Sequence, residues 1–228
     1  MQQAAQTREI SIPLPDATTP LSGTLTIPPG AQGIVLFAHG SGSSRHSPRN
    51  RFVARVLQEA GLATLLIDLL TAEEELIDRR TAQLRFDIGL LARRLTTAAD
   101  WLQHQPETQH LALGLFGAST GAAAALVTAA ARPDLVRAVV SRGGRPDLAG
   151  SVLEQVRAPT LLIVGGNDAP VIVLNQAAMR RLRAPHELRI IPGASHLFEE
   201  PGALEAVARL AADWFRRYLH ADAARAAG

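Results

Sequence analysis

Two patterns of apolar residues divide the chain. Up to residue 27 they alternate, as Ile10, Ile12 and Leu14, then Leu21, Gly23, Leu25 and Ile27, on either side of a Pro-Asp-Ala-Thr-Thr-Pro stretch. A period of two interrupted by turn formers predicts a hairpin with one buried face. Pro13 inside the first run assigns that strand to an edge, where a missing N–H removes no ladder bond. From residue 33 onward the apolar residues come in short continuous runs, at 34–38, 63–67, 111–116, 136–140 and 161–164, with a more mixed run at 188–191. Strands buried on both faces have this composition, as in a parallel sheet covered by helices.

Helical periodicity lies between those runs. Over residues 81–104, Leu84, Ile88, Leu91, Leu95, Ala98 and Leu102 recur at spacings that place one apolar stripe on the sheet, and Leu204, Val207, Ala211, Trp214 and Tyr218 do the same over 202–219. Strands alternating with helices predict an α/β fold: a mostly parallel central sheet, the N-terminal antiparallel hairpin at one edge, and helices on both faces. No repeat or Pro/Gly/Ser-rich linker divides the chain, so a single domain is expected over residues 1–220. Residues 221–228, built of Ala, Asp, Arg and Gly, read as a disordered tail.

Composition narrows the chemistry. The 228 residues are 47% hydrophobic, yet no apolar run approaches the roughly 18–20 residues that span a bilayer. The N-terminus lacks a charged region followed by an apolar stretch and a cleavage site. These features predict a soluble, cytoplasmic protein with no membrane partner. Cysteine is absent, which excludes a disulfide framework, thiolate metal sites and a cysteine nucleophile. The isoelectric point is high, but the formal net charge is only +2 and every basic residue is arginine. The arginines are dispersed and aromatics make up 4% of the chain, without the dense basic stripe of a nucleic-acid surface, so no nucleic-acid partner is expected.

Serine or threonine must therefore do any nucleophilic work, and Gly117-Ala118-Ser119-Thr120-Gly121 sits where a nucleophile belongs. This G-x-S-x-G follows a predicted strand and precedes a helix-forming run, the context of a sharp turn that exposes a strained serine at the end of a sheet. An activated serine needs a histidine base and a carboxylate to orient it. Gly166-Asn167-Asp168 follows the strand at 161–164, and Gly193-Ala194-Ser195-His196 follows the run at 188–191. Ser119, Asp168 and His196 thus each stand just past a different strand and form the candidate triad, with Asp147 the competing acid. His104, His110, His186 and His220 lie at predicted helix ends or strand starts, where solvent-facing roles are expected.

Acyl transfer also needs backbone donors for the tetrahedral oxyanion. The amide of Thr120 is one candidate. The other is the main chain of Ser41, or alternatively Gly42, in the loop His39-Gly40-Ser41-Gly42, with His39 supporting that loop. Gly40-x-Gly42 followed by Asp68 also resembles part of a dinucleotide fingerprint, but Arg45 stands where the third glycine belongs. Two arginine-bearing loops, the dense basic stretch 44–51 and Arg142-Gly143-Gly144-Arg145, should lie at the same sheet edge. Arg45, His46 and Arg142 within them are candidate substrate-binding residues, suited to an acidic group beside the scissile ester. Such a mechanism calls for no metal and no organic cofactor.

With these motifs assembled, the chain resembles the α/β-hydrolase superfamily over nearly its whole length, and within it the compact, lidless dienelactone hydrolase family. The resemblance rests on His39-Gly40-Ser41-Gly42, Gly117-Ala118-Ser119-Thr120-Gly121, Gly166-Asn167-Asp168 and Gly193-Ala194-Ser195-His196. It implies an α/β-hydrolase fold and an esterase, with Ser119 replacing the cysteine of the founding members and a carboxylesterase activity in place of dienelactone hydrolysis. Only a short segment separates the run at 136–140 from that at 161–164, which leaves no room for a cap domain there and favours small or solvent-presented esters. A monomer or homodimer is expected. Acyl transfer with the same triad, or a non-catalytic interaction protein on this scaffold, are the alternative functions.

Overall fold

The computed structural model describes residues 4–220, so the expected tail at 221–228 lies outside the described residues. The hairpin forms as β1 (Gln6–Leu14) and β2 (Ala17–Ile27), paired antiparallel. The continuous apolar runs become β3 (Gly33–Ala38), β4 (Ala63–Ile67), β5 (Ala112–Ala118), β6 (Val136–Arg142), β7 (Thr160–Gly165) and β8 (His186–Ile191). The sheet order is β1-β2-β4-β3-β5-β6-β7-β8, with β2 antiparallel to β4 and every pair from β4–β3 to β7–β8 parallel. β1 is the outer strand, as Pro13 required.

The helices are α1 (Pro48–Glu59), α2 (Ala72–Thr81), α3 (Ile88–Leu102), α4 (Thr120–Ala131), α5 (Ala169–Met179) and α6 (Ala203–Leu219). One apolar layer joins α1 and α6 to the sheet through Val53, Leu57, Val140, Val207 and Phe215. The opposite layer packs α3 and α4 on the other face through Leu91, Leu95, Leu113, Leu126 and Val139. No helix among the described residues is long and apolar enough to cross a membrane. The segment between β6 and β7 holds only 3-10 turns, Pro146–Gln155.

The structure corrects the helix read over 81–104. α2 ends at Thr81 with Ala82 in the left-handed region, Leu84–Phe86 forms a 3-10 turn, and α3 begins only at Ile88. The break has a local cause. Asp78 captures Arg85 through its backbone N and its Nε, at 3.0 and 2.6 Å, and Asp87 caps α3 by accepting from Leu90 N at 2.9 Å.

The chain winds from β3 to β4 in one direction and returns across β3 to β5 and onward in the other. The loops after β3 and β5 therefore part at the sheet's C-terminal edge, the crevice where open α/β sheets place their sites.

Candidate active site

Ser119 occupies the turn between β5 and α4 with φ 50° and ψ −119°, a conformation costly for a non-glycine residue. Close packing holds it there. A Cβ on Gly117 would lie 2.4 Å from Ala122 Cα, and one on Gly121 would lie 2.3 Å from the Ala38 carbonyl oxygen. Both flanking glycines of the motif are thus required by backbone approach, on one side to the new helix and on the other to β3. The loop after β6 straps the turn: Ser119 N donates to Arg142 O at 3.2 Å, and Arg145 N donates to Ser119 O at 3.1 Å. Asn175 on α5, fully buried, donates Nδ2 to Gly144 O at 3.0 Å and fixes that strap in turn.

Asp168 stands at the N-terminus of α5 and meets His196 across the gap between two loops, with Oδ2 to Nδ1 at 2.6 Å. A carboxylate only accepts, so Nδ1 carries a proton, and in the neutral imidazole Nε2 is the nitrogen that keeps its lone pair. The two loops are tied by Asn167 N to Ala194 O at 2.9 Å and by Asn167 Nδ2 to Gly193 O at 2.8 Å. Ser195 N donates to Glu200 Oε2 at 3.0 Å, which holds the Glu200 carboxyl below its ordinary pKa. The imidazole lies beside the Ser119 strap, because a Cβ on Gly143 would sit 3.5 Å from His196 Cε1. The competing acid, Asp147, is instead gripped by Arg145 through two bonds of 2.9 and 2.8 Å.

The loop after β3 packs on Ser119. A Cβ on Gly40 would come within 3.1 Å of Ser119 Cβ. Ser43 N donates to Gly40 O at 3.1 Å, closing a turn in which Gly42 takes φ +68°, and Ser41 and Gly42 are its central residues. His39 supports this loop, as its position suggested. Leu69 N donates to His39 Nε2 at 3.0 Å, and Nδ1 lies 2.9 Å from Gly40 O, to which it donates. Only a neutral imidazole satisfies both contacts. Burial lowers the His39 pKa from the ordinary 6.5, opposed by the Gly40 carbonyl, Asp68 and Glu75.

A pH dependence follows. Below 6.5 an unfolded chain protonates this histidine, while the folded chain does not until lower pH, so stability falls as pH falls through that window. In urea unfolding between neutral pH and pH about 5, wild type should lose more stability than His39→Gln. Parallel decline would refute the neutral assignment.

The arginine-bearing loops divide. Arg45 is committed to Asp68, by its backbone N at 2.8 Å and by Nη1, with Nη2 on Glu9 at 3.3 Å. That pairing also uses the acid of the partial dinucleotide fingerprint. His46 donates its backbone N to Ser44 Oγ at 3.2 Å. The stretch 48–51, read as loop, is the first turn of α1, capped by Ser47 and opened by Pro48. Arg142 is buried, its Nη1 has no hydrogen-bond partner, and burial followed by repulsion from Arg49 pushes its pKa down to about 10.

One wall of the site has no counterpart in the sequence reading. The excursion after β4 carries α2 and the 3-10 turn to the loop at 39–43, where Arg85 Nη1 lies 3.4 Å from the position of a Cβ on Gly42. Its signal is Thr71-x-x-Glu74, a reciprocal cap with bonds of 2.8 and 3.2 Å. Leu76, Ile77 and Phe86 on this excursion are exposed.

An eight-stranded, mostly parallel sheet with helices on both faces and a strained serine after its central strand defines an α/β-hydrolase fold. Residues 21–221 match the Dienelactone hydrolase family, and the chain belongs to it. It is similar to a crystal structure of dienelactone hydrolase from Anabaena variabilis, at 66% identity and a TM-score of 0.93, covering 96% of this chain and 100% of that one. The phosphotriesterase P91 from metagenomic libraries, described as dienelactone hydrolase-like and promiscuous, shares the fold at 20% identity and a TM-score of 0.76, covering 95% of this chain and 100% of its own. Curated relatives from Mycobacterium tuberculosis bear a provisional phosphoribosyl transferase name. They are 58% identical over 200 residues, which is 88% of this chain and 44% of theirs. The chain thus spans less than half the length of those proteins.

Proposed function

We propose that the protein is a serine hydrolase of carboxylic esters, in which Ser119 is the nucleophile, His196 the general base and acid, and Asp168 the group that orients it. The observation that carries this reading is the strained φ of Ser119 at the sheet's C-terminal edge, where the strap that holds the turn carries, at Gly143, a contact to an imidazole whose Nδ1 is held by a carboxylate. Strain of this kind persists only where the surroundings enforce it, and it exposes a side chain to the site.

The chemistry runs in two halves. His196 Nε2 takes the Ser119 proton as Oγ attacks the acyl carbon, and Asp168 stabilises the imidazolium. The oxyanion is received by the amides of Thr120 and Ser41, with Gly42 the alternative to Ser41, and the N-terminus of α4 favours the charge. His196 then protonates the leaving alkoxide, and water activated by the same nitrogen releases the acid. The open setting of His196, whose side chain is 41% exposed, favours small or solvent-presented esters. The transferase name of the longer relatives belongs to proteins of which this chain covers 44%, and the chemistry of this site does not require it.

The test is a p-nitrophenyl ester series from acetate to decanoate, with intact-mass analysis after a fluorophosphonate. Short-chain turnover and one adduct on Ser119 are expected. A folded sample with neither turnover nor adduct would refute the proposal and favour a scaffold without catalysis.

A further inference from the structure

Besides Arg142, the arginine buried among the described residues is supplied with carboxylates, and so are several half-buried ones. Arg94 is 3% exposed, and its guanidinium meets Asp16 and, at 2.6 Å, Glu74. Arg45 has Asp68, Arg85 has Asp78 and Arg145 has Asp147. Arg142, 8% exposed, departs from this pattern: among the described residues it enters no ion pair, and its charged neighbour is another cation, Arg49. An isolated buried charge is costly and is ordinarily paired. Nothing in the packing of β6 explains why one is kept here.

Its place in the fold supplies a reason. Ala138 and Val140 precede Arg142 at the strand period of two, and both pack in the α1–α6 layer, so the guanidinium leaves the sheet on that face. The Arg142 carbonyl holds the Ser119 amide, and the next residue, Gly143, lies against His196 and Phe198. Arg49, in the first turn of α1, reaches Glu199 on the same loop at only 3.7 Å, and its Nε is enclosed without a partner. Two guanidinia with unused donors thus flank the His196 loop, one of them joined directly to the Ser119 turn.

We infer that Arg142 and Arg49 form an oxyanion subsite beside Ser119, and that the ester this protein takes carries a phosphate monoester group near its scissile bond. The scissile bond in this statement rests on the serine-hydrolase reading; the binding chemistry does not. A planar carboxylate saturates one guanidinium through two parallel bonds. A phosphate offers a tetrahedral set of peripheral oxygens and two charges to share between two guanidinia, and the N-terminal end of α1 adds positive partial charge. Glu199, 64% exposed, is a loose partner that a dianion displaces at small cost.

The experiment compares acetate esters of para-hydroxyphenyl phosphate, para-hydroxybenzoate and para-hydroxybenzyl alcohol on wild type, Arg142→Met and Arg49→Gln, with melting temperature read against inorganic phosphate. In wild type, kcat/KM for the phosphate-bearing ester should exceed that for the neutral one by about tenfold or more, mainly through KM. In both variants the ratio should approach unity. Phosphate should raise the melting temperature of wild type and not of Arg142→Met, which should itself melt no lower than wild type because an unpaired buried charge has been removed. A wild-type ratio of one overturns the subsite, as does phosphate protection that survives in both variants. Preference for the carboxylate ester overturns the phosphate assignment. If no ester is turned over but phosphate protects wild type and not Arg142→Met, the subsite stands and the esterase reading falls.

Discussion

Ser119→Ala should lower kcat for a short-chain ester by roughly four to six orders of magnitude, the range seen when a triad nucleophile is removed, while leaving the fold intact. The fold should survive because the hydroxyl is not what holds the turn. Its bonds run through the backbone, from Ser119 N to Arg142 O and from Arg145 N to Ser119 O, and alanine retains both. Alanine tolerates the φ of 50° no worse than serine does, so the melting temperature should move little. Stopped-flow or long-time-course assays with p-nitrophenyl acetate, alongside circular dichroism of the same sample, read both quantities. A loss below tenfold would show that another nucleophile does the work.

The strands were legible because both-face burial leaves continuous apolar runs, and the structure places β3 to β7 on those runs with shifts of a residue or two at their ends. β8 was the least clear for a physical reason: at the sheet edge it is only partly buried, and its sequence mixes His186, Glu187 and Arg189 with Leu188, Ile190 and Ile191. The pairing of Asp168 with His196 was legible too, since each follows its strand and the two loops close on one another through Asn167.

Capped helices without a strong apolar stripe were not legible. α2 buries only Asp78, so periodicity had nothing to detect, although its reciprocal cap at Thr71 and Glu74 is written plainly in the sequence. The first turn of α1 is hidden for another reason: its arginines extend the basic stretch 44–51 across Ser47-Pro48, a helix start, although the rest of that helix buries Val53, Ala54 and Leu57. Charge partners were invisible for a different reason. Arg45 and Arg142 look alike in sequence, and only the fold brings Asp68 to one of them. The strap through Asn175 is equally a product of tertiary packing, since it joins residues 31 apart.

The second large effect separates the two acids. Asp168→Asn should reduce kcat by about ten-thousandfold at neutral pH, and Asp147→Asn by little. With an amide at position 168, the imidazole accepts from Nδ2 at Nδ1, its proton moves to Nε2, and the nitrogen facing the nucleophile can no longer take a proton. Stability should be nearly unchanged, because Asp168 begins α5 without a side-chain cap bond that asparagine would forfeit. Asp147 by contrast meets Arg145, whose pKa it raises through their hydrogen bonds, and contacts no histidine through them. Both variants should be assayed against the same ester, with thermal melts to confirm folding. If Asp168→Asn retained more than a tenth of wild-type kcat while Asp147→Asn lost activity, the orienting acid would be Asp147 and the pair at 2.6 Å would be structural only.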